Sequence, residues 1–335
     1  MNRNALWIWI VLMLCMACKP SVSEGLKVTV SGGQLYIGTT AYQVRGVCYH
    51  PVPKGSTNIR SFETLEQDIA LMKEAGINTI RVYEPIGDMA VLDTLHARGI
   101  KVIMGFGYRQ NGKYDIASGT YKEYIAKFKS HKAILFWELG NEYNYHPEWF
   151  DNALENWYRA LNTAALEIHN IDPNRPVATA HGDLPSKQVV DLCEAVDIWG
   201  MNVYRWDNPS SILEEWQGIS DKPIYISEAG ADSFMTVANA QYEAGVNERA
   251  QADATDKILR AILEAKQPCI GLTLFSFTDG WWKAGNVDKQ DRGGWAPNSS
   301  GVPYDGAPNE EFWGIVDIDR RKKEVFFTLK KWYTK

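Results

Sequence analysis

A regular alternation of short apolar segments with longer amphipathic segments constrains the fold of this chain more than any other feature. The short segments are rich in β-branched and aromatic residues, as expected of strands that are buried on both faces. Eight of them lie at residues 43–49, 79–83, 101–106, 134–139, 177–180, 198–203, 224–227 and 272–277. The amphipathic segments have helical spacing and lie at residues 64–75, 89–98, 121–128, 147–169, 211–216, 248–265 and 323–332. This order predicts an α/β fold, a single (β/α)8 TIM barrel.

A doubly wound open sheet is the other fold that alternates strands with helices. It needs a glycine-rich turn after its first strand to hold a phosphate, and residues 44–50 supply no such turn. Gly76 and Gly99 follow the first two helix patterns, where a helix C-terminus favours glycine. A short N-terminal β-hairpin over residues 28–37 and a long loop over residues 283–311, after the eighth strand, complete the prediction. In a barrel, that loop lies at the catalytic face.

The composition excludes several classes of protein. The 335 residues are 45% hydrophobic and carry 35 Lys and Arg against 41 Asp and Glu, for a formal net charge of -6. This balance does not fit a disordered chain or a polytopic membrane protein, and its acidity argues against a nucleic-acid partner. The 13 Trp and 16 Tyr suggest a sugar-binding cleft. Trp137 and Trp199 lie inside strand segments and are expected in the core instead.

The N-terminus has the pattern of an export signal. Arg3 precedes an apolar run over residues 5–14, which is shorter than the ~18 residues that span a membrane. Ala17-Cys18 follows shortly after the run and resembles the processing site of bacterial lipoproteins. The alternative is ordinary cleavage near this point, which would release a soluble periplasmic enzyme.

The expected organisation is therefore a signal peptide over residues 1–17, a lipidated tether over residues 18–25 and a catalytic domain over residues 26–335. Cys18 is the predicted lipidation site, and the lipid is the only predicted contact with a membrane. The predicted location is the periplasm, or the outer membrane or cell surface.

The remaining cysteines do not predict a metal site. Cys48, Cys193 and Cys269 are far apart in the sequence and lack the close spacing of zinc ligands. Apolar neighbours favour buried, unreactive thiols. We expect neither a metal nor a cofactor.

Two carboxylates at strand ends carry the predicted chemistry. Asn141 and Glu142 follow the fourth strand, and Glu228 ends the seventh. The C-terminal ends of the strands of a barrel face the active site. Cleavage of a glycosidic bond needs one protonated carboxyl group to donate to the leaving oxygen and one ionised carboxylate to attack the anomeric carbon or activate water.

This pattern resembles the clan A retaining glycoside hydrolases. The resemblance implies that Glu142 is the acid/base, that Glu228 is the nucleophile and that Asn141 hydrogen-bonds the 2-hydroxyl of the sugar. It also implies that Arg81, at the end of the second strand, and Tyr204, after the sixth, lie near the nucleophile. A cation at Arg81 would favour an ionised Glu228.

Two family resemblances compete within the clan. Residues 36–50 and the Phe312-Trp313-Gly314-Ile315-Val316-Asp317 segment are similar to the catalytic barrel of family 2 enzymes, whereas residues 68–83 are similar to family 72 β-1,3-glucanosyltransferases. The implied substrate is a β-linked oligosaccharide or polysaccharide, with a β-glucan, including β-1,3-glucan, as the leading candidate. The alternatives are a β-glucanosyltransferase, a β-galactosidase or β-mannosidase type of exo-glycosidase, and a surface glycan-binding lipoprotein that lacks catalysis.

Further polar and aromatic residues at strand ends are candidate sugar contacts. The clan usually has a tryptophan platform after the eighth strand, where this sequence has Phe275, with Trp281 as a possible substitute. The other candidates are His50, His181, Asp279, Trp206 and Trp282, with Glu84 and Trp295 as further possibilities. The histidines could equally make structural hydrogen bonds. Glu138, four residues before Glu142, is expected to be a buried acid in a salt bridge.

Overall fold

Eight parallel strands close into a barrel in the computed structural model, which describes residues 26–110, 112–205, 208–293 and 309–335. The barrel strands, first to eighth, are Val44–Cys48, Thr79–Val82, Lys101–Phe106, Ile134–Leu139, Val177–Gly182, Ile198–Asn202, Ile224–Ala229 and Gly271–Leu274. Each pairs with its neighbours in sequence order, and the eighth pairs with the first through Leu272 opposite Arg45. The predicted (β/α)8 TIM barrel is confirmed.

A helix follows every barrel strand. In chain order the helices are α1 (Leu65–Glu74), α2 (Met89–Ala97), α3 (Tyr121–Phe128), α4 (Leu154–Ile171), α5 (Lys187–Leu192), α6 (Ser211–Gln217), α7 (Glu248–Leu263) and α8 (Glu324–Tyr333). Their apolar sides pack on the barrel, as the amphipathic spacing predicted. Gly76 and Gly99 end α1 and α2 with φ angles of 78° and 73°, a left-handed conformation that glycine adopts without steric cost.

The N-terminal hairpin is part of a three-stranded antiparallel sheet formed by Val28–Ser31, Gln34–Ile37 and Thr40–Tyr42. Val28 and Leu35 pack against Phe136 and Ile198, which lie near the N-terminal ends of their barrel strands. The sheet therefore covers the N-terminal end of the barrel. Functional side chains must gather at the opposite end, where the strands lead into the long loops.

Two helix predictions need correction. The segment 147–169 is not one helix: a 3-10 turn at Pro147–Phe150 precedes α4. Asp151 and Asn152, both with a φ of 58°, interrupt the helical path between them. Helix α5 was not predicted, because its six residues bury only Val190 and so leave little amphipathic pattern.

The barrel core contains the tryptophans that the strand segments predicted there. Trp137 and Trp199 are fully buried, and the indole nitrogen of Trp137 donates to Asp172 Oδ2 at 2.9 Å.

Two short strands, Phe234–Met235 and Gly245–Val246, form a separate antiparallel pair before α7. Among the described residues, no helix is both long enough and apolar enough to cross a bilayer.

Candidate active site

A cavity of about 320 Å³ opens at the C-terminal ends of the barrel strands. Four carboxylates line it: Glu84, Glu142, Glu228 and Glu310. Five large aromatic side chains line it as well: Tyr83, Tyr204, Phe275, Trp282 and Trp313. The fold thus brings Glu142 and Glu228, 86 residues apart in the chain, to one cavity.

Glu228 ends the seventh strand and is held by hydrogen bonds to both of its carboxylate oxygens. Its Oε1 accepts from Arg81 Nη1 at 2.8 Å and from the Tyr83 hydroxyl at 2.7 Å. Its Oε2 accepts from the Tyr204 hydroxyl at 2.8 Å. All three partners are donors and Arg81 is a cation, so they compensate a negative charge on the Glu228 carboxylate. The three contacts also fix the orientation of the side chain.

The two tyrosines remain protonated donors to Glu228. Burial, followed in importance by the charges that a phenolate would meet at Cys48 and Glu228, raises the pKa of Tyr83 well above its usual value. Burial and the nearby Glu228 and Glu142 carboxylates do the same to the pKa of Tyr204. Neither hydroxyl loses its proton at neutral pH, so both hydrogen bonds to Glu228 persist.

Arg81 lies beneath the cavity and links three acceptors. Its side chain is fully buried, with Nε donating to Glu138 Oε1 at 2.7 Å, Nη1 to Glu228, and Nη2 to Asn141 Oδ1 at 2.8 Å. Glu138 also accepts a hydrogen bond from the Tyr225 hydroxyl. The prediction that Glu138 is a buried acid in a salt bridge is confirmed, and the ion pair holds the guanidinium below Glu228.

Two asparagines connect the nucleophile side of the site to Glu142. Asn141 Oδ1 accepts from Arg81 and also from Asn202 Nδ2, at 3.1 Å. The Asn202 side chain also hydrogen-bonds Glu142. Because both bonds to Asn141 use its oxygen, its amide nitrogen is the group that can donate to a ligand in the cavity.

Glu142 sits in a different environment from Glu228. Burial, reinforced by the negative charge of Glu228, raises the pKa of Glu142 to about 7. No salt bridge to Glu142 occurs within the described parts of the chain. The residue adopts a left-handed φ of 55° directly after Gly140 and Asn141, and its backbone N–H donates to Ala180 O at 2.9 Å. Around neutral pH this carboxyl group can give a proton and take it back.

An aromatic and charged wall faces the two glutamates. The Phe275 ring lies 5.5 Å from the Trp313 ring, and the Lys283 ammonium sits 4.2 Å from the Phe275 centroid. Lys283 also forms a salt bridge with Glu310 at 2.8 Å. Apolar ring faces beside polar groups suit a sugar, which presents C–H faces and hydroxyl edges.

The sequence matches the family model for the glycosyl hydrolases family 2, TIM barrel domain, over residues 28–286. The chain belongs to glycosyl hydrolase family 2. Of the two families that the sequence resembles, family 2 is therefore the one to which the barrel belongs.

Known proteins similar to this family 2 chain include a β-galactosidase of Lactococcus lactis, 26% identical over 224 residues that make up 62% of this chain and 21% of the relative. A 1,3-β-glucanosyltransferase, gas4, of Schizosaccharomyces pombe is 26% identical over 227 residues, 57% of this chain and 48% of the relative. Among solved structures, a family 2 β-galacturonidase of Eisenbergiella tayi superposes with a TM-score of 0.68 at 20% identity, covering 92% of this chain and 54% of that one. The chain thus spans about a fifth of the β-galactosidase and about half of the other two proteins.

Several residues predicted to bind substrate line the cavity of the family 2 barrel. They are Asn141, Tyr204, His50, Phe275 and Trp282. The His50 Nε2 lies 2.6 Å from Asn58 Oδ1, and the His50 ring lies 5.3 Å from the Trp282 ring. Burial lowers the pKa of His50 to about 4, so it contributes a neutral imidazole to the wall.

Four other predicted substrate contacts lie off the cavity wall. Arg81 is buried beneath the cavity. The two ring nitrogens of His181 hydrogen-bond the Tyr158 hydroxyl and the Asp183 carbonyl. Of the two roles that the sequence left open for this histidine, the structure therefore shows the structural hydrogen bond. Asp279 is buried in a salt bridge with Lys323 at 3.0 Å, and Trp281 packs under the Lys54 ammonium, 4.4 Å from its ring centroid. Trp206, Trp295 and Cys18 lie outside the described residues.

Several groups of the site were not predicted from the sequence. Tyr83 could have been found, because it ends the predicted strand segment 79–83, two residues after Arg81, and so points to the same face. Asn202 and Trp313 carry no comparable pattern, because the fold alone brings Asn202 to Asn141 and Glu142 and places Trp313 on the cavity wall. In the described parts of the chain, no group of three or more His, Cys, Asp or Glu side chains could hold a metal ion.

Proposed function

We propose that this family 2 barrel is a retaining β-glycoside hydrolase, with Glu228 as the nucleophile and Glu142 as the acid/base. The unequal environments of the two carboxylates carry the proposal. Glu228 accepts hydrogen bonds from Arg81, Tyr83 and Tyr204, whereas burial and the Glu228 charge raise the pKa of Glu142 to about 7. Two titratable groups whose environments differ in this way can divide the roles of nucleophile and acid.

The proposed reaction has two displacements at the anomeric carbon. Glu228 attacks that carbon while the protonated Glu142 donates its proton to the leaving oxygen, so the glycosidic bond breaks and an ester to Glu228 forms. Glu142, now ionised, removes a proton from water. The hydroxide equivalent attacks the anomeric carbon, releases Glu228, and gives a sugar with its original β configuration.

Two groups are suited to stabilise the transition state. Asn141 can donate its amide hydrogens to the 2-hydroxyl of the sugar, a contact that strengthens as positive charge develops on the ring. Arg81 acts as a positioning residue, because its ion pairs with Glu138 and Glu228 keep the attacking oxygen in one place.

The substrate that we propose is a β-linked glucan, with β-1,3 linkages as the first to test. Support comes from the likeness to the S. pombe 1,3-β-glucanosyltransferase and from the aromatic rings of Tyr83, Phe275, Trp282 and Trp313 around the cavity. A β-galactosidase type of exo-glycosidase is the alternative substrate class, supported by the likeness to the L. lactis enzyme.

Hydrolysis of aryl β-glycosides and of β-1,3- and β-1,4-linked oligosaccharides, followed by proton NMR, tests the reaction. The β anomer should appear first and then mutarotate. First appearance of the α anomer would contradict the double displacement. Glycan binding without turnover, in a chain that a mechanism-based inhibitor does not label, would favour a non-catalytic binding protein instead.

Glycosyl transfer is a second candidate function, supported by the likeness to the S. pombe 1,3-β-glucanosyltransferase, and Trp149 is the residue with which to test it. The Trp149 ring, in the 3-10 turn Pro147–Phe150, is 44% exposed and stacks on His146 with centroids 3.9 Å apart and planes 4° from parallel. The acid/base lies on the leaving-group side of the bond, where an acceptor sugar would bind. If transfer is the natural reaction, oligosaccharide products longer than the donor should form, and Trp149→Ala should reduce their ratio to hydrolysis products.

We also propose export and lipid attachment at Cys18. The sequence pattern of residues 1–25 supports this proposal. Labelling of cells with a radioactive fatty acid should mark the wild-type chain and leave Cys18→Ser unmarked. A chain that is recovered unlabelled from the periplasm would indicate ordinary cleavage instead.

A further inference from the structure

Lys283 and Glu310 form an ion pair on the cavity wall that the proposed mechanism does not use. The Lys283 ammonium lies 2.8 Å from Glu310 Oε2, and both side chains are largely buried. The same ammonium sits over the Phe275 ring, which occupies the position after the eighth strand. The pair therefore borders the space where a sugar beside Glu228 would pack.

The backbone on both sides of this ion pair is anchored. Glu311, next to Glu310, is fully buried and accepts hydrogen bonds from the Ala284 N–H at 3.0 Å and the Asp291 N–H at 2.5 Å. Ala284 is the neighbour of Lys283. The Glu310 N–H donates to Gly293 O at 3.0 Å. The donor and the acceptor of the pair are thus held in place before any ligand binds, which favours selective recognition.

The charges of the cavity wall are unevenly distributed. Among the described residues, Lys283 is the only lysine or arginine that lines the cavity, against four glutamates. Three of these have a cationic partner: Glu310 has Lys283, Glu228 has Arg81, and Glu84 has Arg60 at 3.3 Å. These three cations, Lys283, Arg81 and Arg60, are therefore already paired with protein carboxylates.

We propose that the Lys283–Glu310 pair makes the subsite beside Glu228 selective for a neutral sugar over a uronic acid. A sugar hydroxyl can accept from the ammonium and donate to the carboxylate at once, so it satisfies both partners. A uronate carboxylate would have to compete with Glu310 for Lys283 while it faced the other glutamates. This inference rests on the proposed function, and it narrows the substrate to neutral hexosides.

Matched aryl glycosides test this selectivity directly. The aryl β-glucoside and β-glucuronide differ only at carbon 6, as do the β-galactoside and β-galacturonide. The wild-type enzyme should show kcat/KM for the better neutral substrate at least about 100-fold above that of its uronide, because like-charge contacts in an interface cost several kcal/mol. A wild-type enzyme that prefers the uronide would overturn the inference and leave the proposed hydrolysis intact. No turnover of any of the four, with no labelling of Glu228, would contradict the proposed function as well.

Glu310→Gln then tests the residue responsible. It keeps the shape of the side chain and releases the Lys283 charge, so the neutral-to-uronide ratio should fall by about 10-fold or more, as expected for a charge-assisted hydrogen bond. Glu84→Gln is the matched control, because it removes the same charge from the same cavity but does not touch Lys283. An equal fall in both variants would overturn the role of the pair and indicate general charge repulsion.

Lys283→Met supplies a second readout. This substitution removes the only lysine or arginine on the described cavity wall. It should lower kcat/KM for neutral substrates and should not raise kcat/KM for the uronides. Improved uronide hydrolysis in this variant would contradict the proposed competition for the ammonium. A thermal melting curve for each variant separates these effects from misfolding.

Discussion

Glu142 and Glu228 are the same amino acid at the ends of two parallel strands of one barrel, and their surroundings differ in almost every respect. Glu228 has a guanidinium and two phenol hydroxyls as donors, so its charge is compensated where it sits. Glu142 has a hydrogen bond from the Asn202 side chain, no salt bridge in the described part of the chain, and a pKa raised to about 7 by burial and by Glu228.

The difference between the two acids arises from the side chains that neighbouring strands place around each of them. The C-terminal ends of the second and sixth strands supply three donors to Glu228 on the seventh strand. They are Arg81, Tyr83 and Tyr204. The fourth strand presents Glu142 to a space that holds mostly carboxylates and aromatic rings. Because Glu228 itself contributes to the raised pKa of Glu142, the ionised state of one acid supports the protonated state of the other.

The largest expected effect comes from Glu228→Gln. The amide cannot attack the anomeric carbon, so kcat should fall by roughly 10⁴-fold or more, as for other removed nucleophiles. Turnover of an aryl β-glycoside measures the loss. Near-normal activity would show that Glu228 is not the nucleophile.

Glu142→Gln should have a smaller effect that depends on the leaving group. Loss of general acid catalysis typically costs 10²- to about 10⁴-fold, and an activated dinitrophenyl leaving group needs little protonation. The variant should therefore retain far more activity on the dinitrophenyl glycoside than on an alkyl glycoside. Added azide, which needs no general base, should speed its second step. Equal losses on all leaving groups would contradict the acid role.

The tyrosines that hold Glu228 provide the next largest effect. Tyr83→Phe and Tyr204→Phe each remove one hydrogen bond to a charged group, worth about 1.5–3 kcal/mol, so kcat/KM should fall by roughly 10- to 150-fold. Tyr225→Phe is the matched control, because its hydroxyl bonds Glu138 instead of Glu228. A larger loss from the control than from the two site variants would weaken the account of Glu228.

The smallest expected effect is the pH dependence of the wild-type enzyme. Glu142 must be protonated to act as the acid, so kcat/KM should decline as pH rises through about 7, the raised pKa of this carboxyl group. Burial also raises the pKa of Glu138 to about 7, so the assignment needs a variant. In Glu142→Gln, assayed with a dinitrophenyl glycoside, this decline should disappear. Its persistence would point to Glu138.

The sequence predicted the barrel and its two acids because both depend on local patterns. Buried strands leave continuous apolar runs, and the chain positions of Asn141-Glu142 and Glu228 coincide with strand ends. The sequence was a poorer guide to side chains whose contacts are set by residues far away in the chain. His181 lies at a strand end, where a sugar contact was expected, but its ring hydrogen-bonds the Tyr158 hydroxyl. Asp279 likewise pairs with Lys323, which lies 44 residues further along the chain.

The Lys283–Glu310 pair illustrates the same limit. The two residues are 27 positions apart in a segment without regular spacing, so no periodicity connects them. The hydrogen bonds of Glu311 to Ala284 and Asp291 bring them together. Lys283, the only lysine or arginine among the described residues of the cavity wall, is therefore placed by tertiary packing that the sequence pattern does not encode.

Trapping the covalent intermediate tests the central claim most directly. A 2-deoxy-2-fluoro β-glycoside with a good leaving group should slow both steps and allow the glycosyl-enzyme to accumulate, which intact mass measures as the addition of one fluorosugar. Peptide mapping should locate this sugar on Glu228, and Glu228→Gln should not be labelled. A label on Glu142, or rapid hydrolysis of the reagent by an enzyme that gives an inverted product, would contradict the account.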